Sequence, residues 1–350
     1  EFVVLVPNAQ KIEDLQHVAN HIIEGLRDPF MIQGHEVFTS ASIGISMYPD
    51  DGEDLDTLKR CADIAMYNAK DNGRNRHESY SVNSNPLTLE RLTLENALRK
   101  AMERNEFELY YQPQIDMANG KVFGVEALLR WRSSELGNVS PYEFIPLAEE
   151  NGLIIPIGQW VLEEACRQNR RWIEQGVPPM IISVNISACQ LEKPDFVEMV
   201  EKVLKDTGLA PELLCLEITE TTAFKNLENS RAKLQRLSEL GVRIAIDDFG
   251  TGYSSFAMLK HLPIKNIKID RSFIRDMDHD HDNAAIVKAV IAMTHSLNLT
   301  VIAEGVEHEA QRELLLQDGC MLIQGNLYSM PLPADECYRY ISRFHHLTAN

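Results

Sequence analysis

Six short apolar runs, each ending at or just before a polar side chain, recur along this sequence. They occupy residues 122–127, 180–186, 213–218, 242–246, 264–269 and 299–303. Each run is typical of a parallel β-strand that is buried on both faces. Helical patterns separate the runs, so strand and helix alternate along the chain. This order predicts an α/β fold, a (β/α)8 barrel of the TIM type.

The first two strands of the predicted barrel break the parallel order. A strand at 107–115 is followed by Asn119-Gly120 and then by the strand that ends at Glu126. Asn-Gly between two apolar runs is a strong hairpin signal, so we expect an antiparallel first strand pair. The last strand is predicted at 320–323. Helices are predicted at 89–105, 156–175, 194–207, 227–240, 282–296, 308–317 and 334–344.

The pattern divides the chain into two predicted domains. Residues 1–80 form one α+β unit, with a helix at 55–71 capped by Asn72-Gly73 and with strands at 2–6 and 38–47. Residues 81–88 contain Asn, Ser and Pro86 and are predicted to be a linker. Residues 89–350 then form the barrel domain.

Polar side chains with metal or phosphate chemistry mark the strand ends. Taken one at a time, such residues favour turns, helix caps or a strand-edge lysine. A βα barrel brings the C-terminal ends of its strands to one face, so residues distant in sequence become neighbours. Their joint occurrence therefore predicts one site, made of Glu126, Asn185, Glu217, Asp247, Asp248, Lys268 and Glu304.

Apart from the lysine, these residues offer only oxygen ligands, which favours the hard cations Mg²⁺ or Mn²⁺. The adjacent Asp247 and Asp248 allow one carboxylate to bridge two ions while the other binds a single ion. A two-metal centre suits phosphodiester hydrolysis, because both ions can polarise the phosphate and activate water. Lys268 would hold that water or the phosphate.

The composition of the chain bears on whether it binds nucleic acid, spans a membrane or forms disulfides. The chain has 350 residues, 44% of them hydrophobic, and a formal net charge of -18. That charge argues against binding along duplex nucleic acid. No apolar run is long enough to span a bilayer. The six cysteines form no CxxC pair, so we expect reduced thiols in a cytoplasmic protein, with a membrane anchor upstream of this sequence left open.

The barrel region carries a set of motifs in a fixed order. Glu126-Ala127-Leu128 follows Tyr111-Gln112-Pro113, and further characteristic stretches lie at 141–154, 184–187, 217–220, 247–255, 268–270, 303–307 and 324–325. These motifs resemble those of the EAL-domain cyclic di-GMP phosphodiesterases, whose naming motif is Glu-Ala-Leu. The resemblance implies hydrolysis of cyclic di-GMP to the linear dinucleotide pGpG, and family habit implies a homodimer.

The resemblance also implies a role for each matching residue. The ligands of one metal ion would be Glu126, Asn185, Glu217 and Asp247. The ligands of the second ion would be Asp247, Asp248 and Glu304. Glu304 would also act as the general base, and Lys268 would hold the nucleophilic water. The substrate would contact Gln112, Arg130 and Gln324, while Glu220 would steady the loop that carries Asp248.

One stretch departs from the family pattern. The family usually has an aromatic residue after Gln-Gly, whereas here Asn326 follows Gln324-Gly325. Two alternatives therefore stay open. The chain could be a receptor that binds cyclic di-GMP without hydrolysing it, for which Asn326 is the only support. It could also be a metal-dependent hydrolase of another phosphoester.

Residues 1–80 carry a second set of motifs, at 1–7, 42–46, 62–67 and 73–75. These resemble the C-terminal half of a GGDEF diguanylate cyclase domain. The glycine pair and the nucleotide-binding half of such a domain are not among these residues, so we expect no cyclase activity from this segment. The acidic run Asp278-His279-Asp280-His281-Asp282 could bind zinc or nickel, but its place before a predicted helix favours a helix N-cap.

Overall fold

The computed structural model of the chain describes residues 2–7, 9, 11–26, 30–32, 35–37, 39–71, 75–80, 86–225, 227–250, 259 and 262–347. By contacts the chain divides into two compact units, Glu1–Ala97 and Leu98–Asn350. Within the described residues, no helix combines the length and apolar character needed to cross a membrane.

The described residues of the first unit form two small sheets and two helices that lie wholly within it. Strands β1 (Phe30–Ile32) and β2 (His35–Val37) pair antiparallel, and β3 (Ile43–Ile45) and β4 (His77–Ser79) pair parallel. The helices are Ile12–Gly25 and Leu55–Asp71, the second with the predicted bounds. It packs closely on β3, because a Cβ atom at Gly44 would lie 1.9 Å from the carbonyl oxygen of Ala62.

The predicted strand at 2–6 is wrong. These residues have no strand hydrogen bonding, and the side chains of Phe2, Val3, Val4 and Leu5 are exposed. An apolar run becomes a strand only where a neighbouring strand accepts its hydrogen bonds, and no described strand pairs with residues 2–6. The predicted strand at 38–47 is confined to Ile43–Ile45. The predicted cap Asn72-Gly73 lies outside the described residues.

Eight strands of the second unit close into a barrel, which confirms the predicted fold. The strands of this unit are β5 (Phe107–Asp116), β6 (Lys121–Ser133), β7 (Gly137–Val139), β8 (Ile181–Asn185), β9 (Leu214–Thr219), β10 (Arg243–Phe249), β11 (Asn266–Ile269), β12 (Thr300–Ala303), β13 (Leu322–Gln324) and β14 (Leu332–Pro333). The ring order is β5-β13-β12-β11-β10-β9-β8-β6, closed by pairing of β6 with β5. Strands β7 and β14 pair outside the ring.

Strand β5 is antiparallel to both of its neighbours in the ring, β6 and β13. The antiparallel first pair was predicted from Asn119-Gly120; the second antiparallel pairing was not. The remaining pairings in the ring are parallel. The seven ring strands other than β5 therefore direct their C-terminal ends to the same mouth of the barrel.

Helices alternate with the strands as predicted, with shifts at their ends. Their bounds are Pro86–Ala101, Pro141–Glu150, Ile154–Glu174, Ala188–Glu192, Phe196–Thr207, Glu220–Lys225, Leu227–Glu239, Arg271–Arg275, His281–Ser296, Glu309–Gln317 and Ala334–Leu347, with a 3₁₀ turn at Pro211–Leu213. The first begins at Pro86, inside the predicted linker 81–88, because proline fits the first turn of a helix. Ala188–Glu192 was not predicted; Ser187 and Gln190 cap it reciprocally.

Alternation along the strands separates the barrel interior from the helical layer. On β5, Tyr111 faces outward and contacts Trp172 of the helix Ile154–Glu174, with ring centroids 4.8 Å apart. The next residue, Gln112, therefore faces the interior. Burial of Ile157, Leu162 and other apolar side chains of that helix holds it against the barrel. The core is thus formed by the layer between strands and helices, and the barrel interior is left for polar residues near the mouth.

Candidate active site

Four carboxylates from four parts of the barrel surround the ammonium group of Lys268. Its Nζ lies 2.5 Å from Glu217 and 2.5 Å from Glu304, 3.2 Å from Glu126 and 3.3 Å from Asp247. Lys268 is on β11, and the carboxylates come from β6, β9, β10 and the residue after β12. Lys268 is fully buried. The structure therefore brings together residues that the sequence had placed only at separate strand ends.

The register of the sheet explains this convergence. Asn185 on β8 pairs with Glu217 on β9, so the two residues lie at one level of the barrel. Asn185 Nδ2 also donates to Glu126 Oε1 at 2.6 Å. Both residues were predicted as metal ligands, and the structure brings them into direct contact.

Burial and mutual repulsion control the protonation of this cluster. Burial lowers the pKa of Lys268, but the surrounding carboxylates outweigh it and hold that pKa well above its ordinary value. Burial raises the pKa of Glu217 to about 8, with repulsion from Glu126 and Asp247 added and attraction to Lys268 opposing. Burial likewise raises the pKa of Glu304 well above its usual range.

Glu126 behaves differently from the other glutamates of the cluster. Burial raises its pKa, but the charge of Lys268 and hydrogen bonds from Gln324 and Asn185 outweigh burial, and the pKa is lowered. All of these partners donate to oxygen atoms of Glu126. Its carboxylate is therefore held in the charged form that a cation needs.

Among the residues that the structure describes, the carboxylates form two groups of three that could each hold a metal ion. One group is Glu126, Glu217 and Asp247, and the other is Asp247, Asp248 and Glu304. In each group the ligand oxygens lie within 4.8 Å of one another, and Asp247 belongs to both. Among the described residues, Glu217 Oε1 is buried without a hydrogen-bond partner. A hard cation fits this donor set, because every ligand is an oxygen and the carboxylates exceed the single ammonium in charge.

Asp248 has a left-handed backbone conformation, with φ of +53°. Its amide donates to Asp247 Oδ1 at 3.0 Å, at a point where the register between β10 and β11 shifts. Burial, Asp247 and Asp270 raise the pKa of Asp248 to about 6. Sequence reasoning did not assign a role to Asp270, although its position two residues after Lys268 on the same strand end was a usable signal.

Glu220 contacts the loop that follows Asp248. It is the first residue after β9 and is buried, and its Oε2 accepts a hydrogen bond from Gly250 N at 3.1 Å. Gly250 has φ of +102°, which favours glycine. Residues 251–258 of this loop lie outside the described residues. The contact anchors the backbone two residues after Asp248.

The predicted substrate residues Gln112 and Gln324 are hydrogen-bonded within the protein. Gln324 Nε2 donates to Gln112 Oε1 at 3.0 Å and to Glu126 Oε2 at 2.6 Å. Gln112 Nε2 donates to the carbonyl oxygen of Ser329 at 3.1 Å. A contact of either amide with substrate stays a prediction. Gln114, which donates to Gln324 at 3.0 Å, was missed by sequence reasoning, although it shares a strand face with Gln112.

Arg130 lies at the rim of the barrel on β6. Its guanidinium carbon is 5.5 Å from the centroid of the Tyr110 ring, and the side chain is half-buried. A cavity of about 350 Å³, lined among others by Arg130, Arg132 and Ser140, opens beside it. This position allows the predicted contact of Arg130 with an anionic substrate, which stays a prediction.

A second cation–aromatic contact crosses the mouth of the barrel. The guanidinium carbon of Arg271, just after β11, lies 5.8 Å from the centroid of the Tyr142 ring. Tyr142 follows β6 and β7 in the chain, and β6 and β11 are opposite each other in the ring of eight. Asn326, the departure from the family pattern, is exposed and donates to Glu307 Oε1 at 3.3 Å.

The acidic run at 278–282 serves as a helix cap. Asp280 Oδ1 accepts from the backbone amides of Asp282 at 2.9 Å and Asn283 at 3.4 Å at the start of the helix His281–Ser296. In the part of the chain that the structure describes, this run is not among the carboxylate or histidine groups close enough to share an ion. The capping interpretation is therefore favoured over a metal site.

The fold and the site define a class: an α/β barrel with paired carboxylate groups around a buried lysine at the C-terminal ends of its strands. Residues 95–331 match the family model of the EAL domain, and residues 1–76 match the model of the diguanylate cyclase GGDEF domain. The chain belongs to the EAL-domain family, with a partial GGDEF region before the barrel.

Characterised relatives and a solved structure resemble most of the chain. The bifunctional diguanylate cyclase/cyclic di-GMP phosphodiesterase MucR of Pseudomonas aeruginosa is 46% identical over 336 residues, which cover 96% of this chain and 49% of MucR. The cyclic di-GMP phosphodiesterase PdeR of Escherichia coli is 38% identical over 344 residues, 98% of this chain and 52% of PdeR.

The solved structure of the PaMucR phosphodiesterase in complex with c-di-GMP resembles a large part of this chain. It is 48% identical with a TM-score of 0.68 and covers 70% of this chain and 99% of that chain. The present chain spans about half the length of MucR and PdeR.

Proposed function

We propose that this chain is a metal-dependent phosphodiesterase that hydrolyses cyclic di-GMP to linear pGpG. The proposal rests on one observation. Two groups of three carboxylates share Asp247, and Asp247 contacts Lys268. The activity for which MucR and PdeR are named, and the ligand bound to PaMucR, support the same substrate.

The proposed metals are two Mg²⁺ or Mn²⁺ ions. The ligands of one are Glu126, Asn185, Glu217 and Asp247, and those of the other are Asp247, Asp248 and Glu304. Each residue supplies an oxygen atom, which suits these hard cations. When bound, two divalent cations would polarise the phosphate and lower the pKa of the attacking water.

Glu304 is the proposed general base. Its carboxylate lies beside Lys268 and belongs to one of the proposed metal groups, so a proton acceptor stands next to the proposed position of the attacking water. Water attacks phosphorus and its proton passes to Glu304, while the P–O3′ bond breaks and the leaving 3′ oxygen takes a proton from solvent. Lys268 and Arg130 supply positive charge toward the water and the phosphate.

The decisive experiment is chromatography of cyclic di-GMP after incubation with the purified chain. The wild type with Mg²⁺ is compared with a chelator control and with Glu126→Ala, which removes a proposed ligand. Glu174→Ala, at an exposed glutamate of an outer helix, is the matched control. We expect pGpG from the wild type and Glu174→Ala with metal, and none from the other two samples.

Other outcomes would support the alternatives. Tight binding of intact cyclic di-GMP by the wild type, without pGpG in any sample, would make the chain a receptor and Asn326 the first residue to change. Faster metal-dependent turnover of another phosphoester, unaffected by cyclic di-GMP as competitor, would identify a different hydrolase. A homodimer and a cytoplasmic location stay predictions; light scattering of the purified chain would test the first.

A further inference from the structure

Three glutamine side chains form a hydrogen-bonded chain that ends on the carboxylate of Glu126. Gln324 Nε2 lies 2.6 Å from Glu126 Oε2 and 3.0 Å from Gln112 Oε1. Gln324 Oε1 accepts from Gln114 Nε2 at 3.0 Å. Gln114 is fully buried, and Gln324 and Glu126 are 4% and 5% exposed. This row of hydrogen-bonded glutamines therefore lies inside the barrel, beneath the proposed metal site.

We propose that Gln114 is a positioning residue for metal binding, because it fixes the amide of Gln324 and thereby the carboxylate of Glu126. The inference rests on the proposed function, since it adds a supporting residue beneath a proposed ligand. In the part of the chain that the structure describes, Gln114 hydrogen-bonds Gln324 and no proposed metal ligand.

The polarity of the chain follows from the carboxylate. Glu126 accepts hydrogen bonds, so the amide nitrogen of Gln324 must face it, and the carbonyl oxygen of Gln324 must face the other way. That oxygen then requires a donor, which Gln114 Nε2 supplies. If Gln324 turned over, its carbonyl oxygen would face the Glu126 carboxylate, which is repulsive. Gln114 therefore stabilises the amide orientation of Gln324 in which Gln324 donates to Glu126.

Sheet register holds the donor in place. Gln114 on β5 pairs with Gln324 on β13 and, on its other side, with Gly124 on β6. A Cβ atom at Gly124 would lie 3.1 Å from Gln114 Oε1 and 2.8 Å from the carbonyl oxygen of Ile181. The glycine leaves the space that the Gln114 side chain occupies. The donor is thus fixed by its strand and by the absence of a neighbouring side chain.

The expected effect is on metal affinity. Groups that orient a metal ligand through hydrogen bonds typically change affinity or activity by about 10- to 100-fold when removed. Gln114→Met keeps the volume of the side chain and removes the donor, so Gln324 Oε1 loses its hydrogen bond and the amide is held less firmly. We expect a loss of Mn²⁺ affinity of about tenfold and a lower kcat at saturating metal, with KM for cyclic di-GMP nearly unchanged.

Gln114→Glu gives a readout that a merely structural role would not move. A protonated glutamic acid can donate to Gln324 Oε1, but the ionised form cannot and repels it. The Mn²⁺ affinity of this variant, relative to wild type, should fall as the pH rises from about 6 to about 8. The Mn²⁺ affinity of Gln114→Met, divided by that of wild type, should stay constant over the same pH range.

Isothermal titration with Mn²⁺ alone tests the inference, with Asn169→Leu as the matched control. Asn169 is also a fully buried amide, but it bonds the carbonyl oxygen of Met180 behind the barrel wall. Its loss should lower stability and leave Mn²⁺ affinity unchanged. Wild-type affinity in Gln114→Met, or an affinity ratio of Gln114→Glu that does not change with pH, would overturn the inference.

Turnover measured in parallel separates the two proposals. A wild type whose Mn²⁺ affinity is lowered by Gln114→Met, but which leaves cyclic di-GMP intact, would contradict the proposed function and support the positioning role. A wild type that makes pGpG, with Gln114→Met equal to it in affinity and kcat, would remove only the positioning role. A wild type that binds no Mn²⁺ would contradict both.

Discussion

Lys268 Nζ lies 2.5 Å from Glu304 Oε1, so the proposed holder of the water and the proposed general base are joined directly. The same ammonium contacts Glu126, Glu217 and Asp247. One buried positive charge therefore offsets repulsion among carboxylates that belong to both proposed metal groups. Removal of that charge should affect stability as well as catalysis.

Lys268→Met should destabilise the metal-free protein by about 3 kcal/mol at neutral pH, because the buried carboxylates lose a cation that contacts four of them. Saturating Mn²⁺ should recover part of the loss by ligand linkage. Urea unfolding, followed by the fluorescence of Trp131, Trp160 and Trp172, measures both values. Lys265→Met, at an exposed lysine just before β11, is the control. Equal stability of Lys268→Met and wild type in chelator would contradict this account.

Glu220→Ala should lower kcat by about tenfold or more, because the backbone at Gly250 loses its acceptor and Asp248 loses its orientation. Binding of the ion at Glu126, Glu217 and Asp247 should persist, since none of these residues contacts Glu220 in the described structure. Glu220→Gln keeps a hydrogen-bond acceptor, so its kcat should lie between those of wild type and Glu220→Ala. Mn²⁺ titration and steady-state kinetics provide the comparison; loss of all Mn²⁺ binding in Glu220→Ala would show that the residue supports the whole centre.

Glu106 should give the barrel a defined acid sensitivity. Burial raises its pKa, but hydrogen bonds from Ser134 and Trp131 outweigh burial, and the pKa is lowered. A lowered folded pKa contributes stability above the unfolded value, and this stability is lost as pH falls through the folded value. The stability advantage of wild type over Glu106→Gln should therefore shrink below pH about 4.5.

Urea midpoints at several pH values measure that difference, with Glu103→Gln at an exposed neighbouring position as control. A difference between wild type and Glu106→Gln that stays constant down to pH about 3 would show that Glu106 does not titrate as described.

Metal binding should release protons. Without metal, the raised pKa of Glu217, about 8, adds stability that is complete below the unfolded value and is lost as pH rises through about 8. A bound cation requires the ionised carboxylate, so it displaces the proton. Mn²⁺ titrations at pH about 7 in buffers of different ionisation enthalpy should report proton release that is smaller in Glu217→Gln. Identical release in both proteins would exclude Glu217 as its source.

The barrel was predictable because its strands are short, apolar and separated by helices. The strand-end position of Asp247 or Glu304 is visible in sequence, and closure of the ring then makes these residues neighbours. The antiparallel β5–β6 pair was predictable from Asn119-Gly120 alone. The pairing of β5 with β13 was not, because no local turn joins these strands.

Side-chain contacts between residues on different strands could not be predicted from the sequence. Gln114 and Asp270 read as ordinary polar residues, because their partners Gln324 and Asp248 depend on register and on side-chain direction. Four carboxylates around Lys268 likewise require knowledge of which strands face each other in the ring. The error at residues 2–6 has the same origin, since hydropathy identifies a segment able to form a strand but not the neighbour with which it would pair.

The left-handed backbone at Asp248 sets folding stability against the proposed role of its carboxylate in metal binding. At φ of +53°, a residue other than glycine carries a cost of about 1 kcal/mol that glycine avoids. Laboratory evolution for heat resistance alone should therefore drift toward glycine at position 248 and discard its carboxylate. Directed evolution of a more thermostable barrel therefore requires each round to be screened for catalytic turnover as well as for resistance to heat.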